Sequence, residues 1–345
     1  DEAGRLKCEI DPLGNRTSYS YDHVNRRVAV IDPLGYVTTT GYDAIGQPTN
    51  SEDQLGHITT SVYNAAGRQT DIEDPFGYIT TTAFDVAGQP IATVDPLGNT
   101  TSTHYDRLGR AIGVEDALSR RTTNSYDAAG RLLHVENALG HLTTFSYDAA
   151  NRRLTLRDAR GNVTTFGYDT AGRMTLTIDP IGNRVTSTFD ALGRLKTTVD
   201  GRNLPITFSF DDTGQLAGKL YSDGTRVTFT YDALGNRNEM HDPTGITTYT
   251  YDVGNRLTSV TDPQNKLVQF EYDTRSLRKA MVDPDDGRFT YSFDAARRLK
   301  WLQNPVGEIT TFSYDRTRRN GLHAGNGTRT SFTYDAAPHI VTIVH

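Results

Sequence analysis

Apolar and polar positions alternate with a period of two through short stretches that never run long. In residues 142–147, Thr143, Phe145 and Tyr147 fall on one face of an extended chain, and Leu142, Thr144 and Ser146 on the other. A companion stretch is less regular. Leu132 and Leu195 sit five residues after an Asp, whereas Val30, Val114, Val135 and Leu156 sit eight after one. That change of parity predicts a bulge or a strong local twist. Both stretches are rich in Thr, Val, Ile, Tyr and Phe, which suit strands. No segment has a helical period, and Gly, Pro and Asx return about every ten residues as turn signals. The pattern predicts an all-β chain of β-hairpins with about 32 to 34 short strands.

The hairpins repeat. An aromatic residue followed by Asp or Asn closes each Thr-rich stretch: Tyr21-Asp22, Tyr42-Asp43, Tyr63-Asn64, Phe84-Asp85, Tyr105-Asp106, Tyr126-Asp127, Tyr147-Asp148 and onward to Tyr334-Asp335. There are 16 such pairs, spaced by 21 residues or occasionally 20, and 12 of the 18 tyrosines occupy this one position. Three residues after the Asp comes Gly or Asn, as at Gly109, Gly130 and Asn151, and then commonly Arg, as at Arg110, Arg131 and Arg152. Ten residues after the first Asp comes a second, often in Asp-Pro-x-Gly: Asp11-Pro12-Leu13-Gly14, Asp95-Pro96-Leu97-Gly98 and Asp179-Pro180-Ile181-Gly182. Asp bonds backbone amides two residues on, Pro presets the first turn dihedral, and Gly or Asn accepts a left-handed one. The period never breaks, so residues 1–345 read as one continuous array, with Asp1 falling in mid-repeat.

Composition narrows the class. Net charge is −6 and the pI is about 5.9, which argues against a nucleic-acid partner. No apolar run is long enough for a membrane-spanning helix. Cys8 is the single cysteine, so an internal disulfide framework and a Cys-based zinc site are excluded. Arg outnumbers Lys 30 to 6, a bias toward planar, multiply bonding cations rather than mere solvation.

Tyr-Asp-x-x-Gly-Arg followed by Asp-Pro-x-Gly-Asn-x-Thr resembles the YD repeat of the RHS family, with Asp127 to Leu132 and Asp95 to Thr101 close to that pattern. The resemblance runs the length of the chain. It implies one long antiparallel sheet coiled into a spiral shell or solenoid wall, which in toxin members of the family holds a C-terminal toxic domain until delivery. Two features depart from the pattern. The Gly position becomes Ser276, Arg297, Arg318 and Pro338 near the C-terminus, and the second turn loses its Asp around Tyr221 and Gly325. Less regular turns are therefore expected in the last third. The Tyr-, Arg- and Gly-rich segment with which the family's shell ends, and its self-cleavage carboxylates, have no counterpart here.

The residues offer little chemistry beyond turns. The aromatic row reads as cross-strand packing rather than a glycan ladder. Asp-Pro-x-Gly reads as a turn rather than a calcium loop, and so do Asp283, Asp285, Asp286 and Gly287. The nine histidines lack metal spacing. The Arg row is expected to bond turn carbonyls or Asp of its own or the next repeat rather than to form an anion-binding stripe. With about 4.8 Å between strands, some 33 strands form a ribbon of roughly 160 Å, about one turn of a cylinder ~50 Å across. The chain thus reads as a segment of a larger wall.

The expectation is a non-catalytic, exported structural wall, secreted or at the cell surface, with no cofactor, whose partners are neighbouring repeats and an encapsulated toxin domain. The rival expectation is a cell-surface adhesion or fibre module that binds glycans or proteins. The residues that define the motif are Tyr21, Asp22, Asp95, Pro96, Gly98, Tyr105, Asp106, Gly109, Arg110, Tyr126, Asp127, Gly130, Arg131, Tyr147, Asp148, Asp179, Pro180 and Gly182.

Overall fold

The computed structural model describes residues 1–337 and 339–344. Pro338 and His345 lie outside the described residues. The chain forms a single sheet of 33 strands, with no helix among the described residues and more than half of all residues in strands. By contact density the sheet divides into two units. One comprises residues 1–100 and 248–345, the other residues 101–247. Within each unit, strands consecutive in sequence pair antiparallel.

One repeat shows how the sequence produces this. The strand Arg121–Tyr126 pairs with Leu132–Glu136 across the first turn, and Leu132–Glu136 pairs with Leu142–Tyr147 across the second. Across the second turn the register is regular, with His134 opposite Thr144 and Glu136 opposite Leu142. Across the first turn Ser125 pairs with His134 but Tyr126 pairs with Leu132, so Leu133 is an extra residue. This is the bulge signalled by the parity change, and it recurs at the same step from Ser20/Tyr21 to Thr333/Tyr334. A bulge at every first turn raises the local twist of the sheet and re-aims the residues on either side of it.

The apolar residues that are buried in the described structure are Phe229, Ala280 and Ala295, a thin core for a chain of this length. The abundance of Thr follows: its β-branched carbon favours the strand while its hydroxyl tolerates a half-wet face. Cohesion therefore falls chiefly to the strand ladder and to the turns.

The last third departs from expectation. Most of its turns keep the same path despite altered residues, but Asp242–Gly245 and Asp315–Arg318 tighten, so that Asp315 pairs directly with Arg318 and Arg316 takes the left-handed φ of 50°. Ser276 and Arg297 adopt φ of 62° and 64° where other repeats carry Gly. Their backbone amides still donate to the Asp273 and Asp294 carbonyls at 3.0 and 3.1 Å. Tyr221 replaces Asp at a second turn, yet Gly224 N–H still reaches the Tyr221 carbonyl at 3.0 Å, and Ala324 takes the equivalent place before Gly327. The ladder on both sides holds these turns closed, so local residue preference is overruled.

In the unit that joins 1–100 to 248–345, the two segments meet edge to edge. Arg318 Nη2 lies 3.3 Å from Asp74 Oδ2. Arg275, 8% exposed, stacks over Tyr36 with 5.6 Å from guanidinium to ring centre.

Candidate functional site

The first turn is built around one carboxylate. Asp127 closes the loop with its backbone: its carbonyl accepts from Gly130 N–H at 3.0 Å, and its N–H donates to the Arg131 carbonyl at 2.9 Å. Its Oδ1 accepts the N–H of Ala129 and of Arg131, both at 2.9 Å, and its Oδ2 accepts Arg131 Nε at 2.6 Å. Gly130 takes φ of 82°, in the region that disfavours a Cβ. Asp106, Gly109 and Arg110 repeat this arrangement, with Arg110 Nε 2.7 Å from Asp106 Oδ2 and φ of 79° at Gly109. Asp22 and Asp148 hold Arg26 and Arg152 in the same way, each at 2.6 Å.

The second turn uses the same frame, often with a neutral partner, though Asp116 holds Arg120. Asp95 Oδ1 accepts the N–H of Leu97 and of Asn99, its Oδ2 accepts Asn99 Nδ2 at 2.8 Å, and Gly98 has φ of 84°. Asp179, Gly182 and Asn183 match it, with Nδ2 to Oδ2 at 2.7 Å. Pro96 and Pro180 occupy the position whose φ the ring presets. Asp283 forms this turn too, accepting the N–H of Asp285 and of Gly287.

From the first turn a clasp reaches into the next repeat. Arg131 Nη1 donates to the Asp148 carbonyl and to Asn151 Oδ1, both at 3.0 Å, and its guanidinium lies 5.0 Å from the centre of the Tyr147 ring. The Tyr147 hydroxyl then donates back to the Leu132 carbonyl, 15 residues upstream, at 2.9 Å. One Arg and one Tyr thus bind turn to turn and strand to strand. Arg5 with Tyr21, Arg110 with Tyr126, and Arg256 with Tyr272 do the same at 4.8 to 5.0 Å. Tyr21 and Tyr126 return hydrogen bonds to Leu6 and Ala111. Tyr105 closes the strand Thr100–Tyr105.

The Arg row therefore reaches both its own Asp and the next repeat. The aromatic row differs from the expected ring-to-ring packing. The rings face guanidinium groups, and ring stacks on ring elsewhere, between Phe76 and Tyr78. A guanidinium spans the gap between repeats and favours an aromatic face. Where Asn64 replaces Asp, Arg68 still covers Phe84 at 5.3 Å, but its buried Nε has no partner.

These carboxylates are held in their ionised form by their own turns. The Arg131 backbone N–H and then its guanidinium hold the Asp127 carboxyl below its ordinary range, and Arg110 does the same for Asp106. Both oxygens accept hydrogen bonds within the turn, and the charge is matched by Arg131. Among the described residues no group of three or more His, Cys, Asp or Glu could hold a metal ion. Among the described residues no helix is long and apolar enough to cross a membrane. A hollow of about 700 Å³ lies on the sheet near the C-terminus around Trp301, Phe312, Asn320 and His323, and no carboxylate lines it.

A teneurin YD-shell model matches residues 56–255 and 186–344, and an RHS repeat model matches residues 1–38. The chain belongs to the teneurin YD-shell family. The clasp is therefore the joint between successive units of a structural repeat shell. No curated protein sequence matches significantly. Among solved structures, the YD-shell chain is similar to TcdB2-TccC3 without its hypervariable C-terminal region, at 17% identity and a TM-score of 0.78 over 96% of this chain and 23% of that one. It is also similar to a Photorhabdus luminescens Tc holotoxin pore, at 17% identity and a TM-score of 0.63 over 96% of this chain and 22% of that one. At these identities the likeness is one of fold. The YD-shell chain spans less than a quarter of either structure.

Two features of the site lie outside what the residues alone indicated. The tyrosine hydroxyl bond to a carbonyl 15 residues upstream has a visible correlate only in the constant spacing of 16 from Arg to Tyr. The edge contacts of Arg275 and Arg318 have no local signal.

Proposed function

We propose that residues 1–345 are one unbroken stretch of the wall of an exported shell that encloses a protein cargo, itself without catalytic activity. The observation that carries this is the clasp. In the first turn the Asp carboxylate is held within its own loop and the Arg guanidinium spans to the next repeat, and the thin core leaves the sheet as a barrier rather than a compact enzyme body. The fold likeness to Tc toxin assemblies supports an enclosed toxin as the cargo class, and with it secretion or surface display. The test is limited proteolysis of the full polypeptide that carries this array. The wall and an enclosed domain should resist cleavage together, and the domain should become sensitive only once the wall is opened by denaturant. Equal sensitivity of that domain in the native state would overturn the reading.

One observation favours surface binding of glycans instead. The hollow around Trp301 combines the chain's only Trp with Asn320, whose buried Oδ1 has no partner. Aromatic faces and amide oxygens together suit sugar rings. Saturable quenching of Trp301 fluorescence by an oligosaccharide would support that reading, and an unchanged spectrum across a panel would remove it.

A further inference from the structure

Two repeats show the same arginine with and without its acid. On the face of the sheet opposite the Tyr row, Arg288 reaches back two strands to Glu271. The ion pair is two-pronged, Nη1 to Oε1 and Nη2 to Oε2, both at 2.8 Å. Such a fork is how a guanidinium matches a carboxylate. Ala280, paired opposite Glu271, lies on the strand between them and is fully buried. Two repeats on, Arg329 stands where Arg288 stands, Gly321 replaces Ala280, and Ser313 replaces Glu271. The arginine is kept and its acid is gone.

In place of the ion pair is the hollow of about 700 Å³ around Trp301. One cross-strand row on this face runs Trp301, Thr311, His323 and Arg329, and the row beside it runs Ser313, Gly321 and Ser331. The hollow is the step down from large side chains to small ones. A Cβ on Gly321 would stand 2.5 Å from Ser313 Oγ, so the glycine lets that hydroxyl lie along a bare floor. Lys300 and Arg329 both line the hollow, and among the described residues no carboxylate does. The buried Asn320 Oδ1, which has no partner, is an acceptor at the same place. The contributing strands Leu299–Gln303, Ile309–Asp315, Arg318–His323 and Arg329–Tyr334 are each paired on both sides, so the site lies on the face of the sheet and not at an edge.

We infer that this hollow binds an acidic saccharide, whose carboxylate takes toward Arg329 the place that Glu271 takes toward Arg288. The indole of Trp301 offers a flat face to a sugar ring, and Asn320 Oδ1 accepts from a sugar hydroxyl. Lys300 adds a second cation for the same carboxylate or the next one. Trp301 and Arg329 are three strand spacings apart, roughly 14 Å, which suits a short oligosaccharide rather than a single ring. The inference rests on the glycan reading of this hollow and adds the charge that selects among glycans.

Trp301 is the chain's only Trp, so its fluorescence reports on this site. The intact chain is titrated with a galacturonate oligomer, a neutral glucose oligomer of the same length and a glutamate oligomer. The galacturonate oligomer should bind at least about tenfold more tightly than the glucose oligomer, the worth of one hydrogen bond to a charged group. Arg329→Gln should erase that preference. Ser313→Glu should erase it too, by giving Arg329 an internal acid. The circular dichroism of Ser313→Glu should stay that of the parent, because Glu271 and Arg288 already fold in that arrangement. Equal affinity for the two sugars would overturn the inference and leave the glycan reading standing, whereas quenching by neither would overturn both. An acid preference unchanged in the two variants would overturn the role of Arg329. Quenching by the glutamate oligomer as strong as by galacturonate would overturn the saccharide in favour of a bare carboxylate site.

Discussion

The guanidinium of Arg131 lies 5.0 Å from the centre of the Tyr147 ring, in the repeat that follows its own. The same Arg is anchored to Asp127 at 2.6 Å, and the same Tyr hydroxyl is anchored to the Leu132 carbonyl at 2.9 Å. Each side chain is thus held at one point by its own surroundings and used at another to hold a neighbour. Removing either releases a joint between repeats rather than a contact within one.

Tyr147→Phe keeps the ring under Arg131 and deletes only the hydroxyl bond to Leu132. The expected loss is about 1 kcal/mol, the usual worth of one such hydrogen bond. Urea unfolding of the intact chain should show it as an earlier first transition, with amide exchange fastest across Leu132–Glu136. Arg131→Lys should destabilise in the same direction, because an ammonium cannot bond Asp127, Asp148 and Asn151 while lying flat on the ring.

Gly130→Val should cost roughly 1–3 kcal/mol locally, since a β-branched residue is strained at a left-handed dihedral. Space is not the obstacle: the nearest atom to a new Cβ, Arg110 Nη1, would be 3.8 Å away. Gly130→Asn should be much milder, because Asn151 holds φ of 63° at the same place in the next repeat. Thermal melts of the two variants side by side separate backbone strain from crowding.

Acid should loosen the turns before it affects anything else. Asn99 Nδ2, and then backbone amides, hold the Asp95 carboxyl below its ordinary 3.8, and the Arg131 and Arg110 amides and guanidinium groups do so at Asp127 and Asp106. A folded value below the unfolded one means that the ionised form favours the fold. That contribution is complete above about pH 4 and is lost as pH falls through the lowered folded values. Melting temperature should hence be flat from neutral pH down to the ordinary carboxylate range and fall steeply below it. A decline beginning well above that range would contradict the assignment.

Arg318→Ala removes the pairing with Asp74 and the cover over Phe76 while leaving every strand pair intact. Hydrogen exchange should quicken in the turn 74–78 and leave the turn 95–99 and the strand Arg121–Tyr126 unchanged. Exchange that quickened throughout the sheet would show that the edge contact supports the ladder itself.

Much of this protein was settled by local chemistry. An Asp that can bond two amides, a Gly or Asn that accepts a left-handed dihedral, and Thr-rich alternation between them specify a hairpin within 21 residues. The step in parity after the first Asp specifies its bulge at Leu133. The Arg partner within the turn follows as well, since four residues around a tight loop return the guanidinium to the same carboxylate. What local chemistry left open was everything a side chain does beyond its own turn. Whether Arg131 faces Tyr147 or water depends on the spacing of adjacent turns, which only the assembled ladder provides. Whether Ser276 and Arg297 break the turn depends on strands that close it from both sides. That Arg318 reaches Phe76, far back in the sequence, depends on how twist accumulates along the sheet over many repeats. No single repeat carries that quantity, because each contributes only a small rotation and their sum decides which edge meets which.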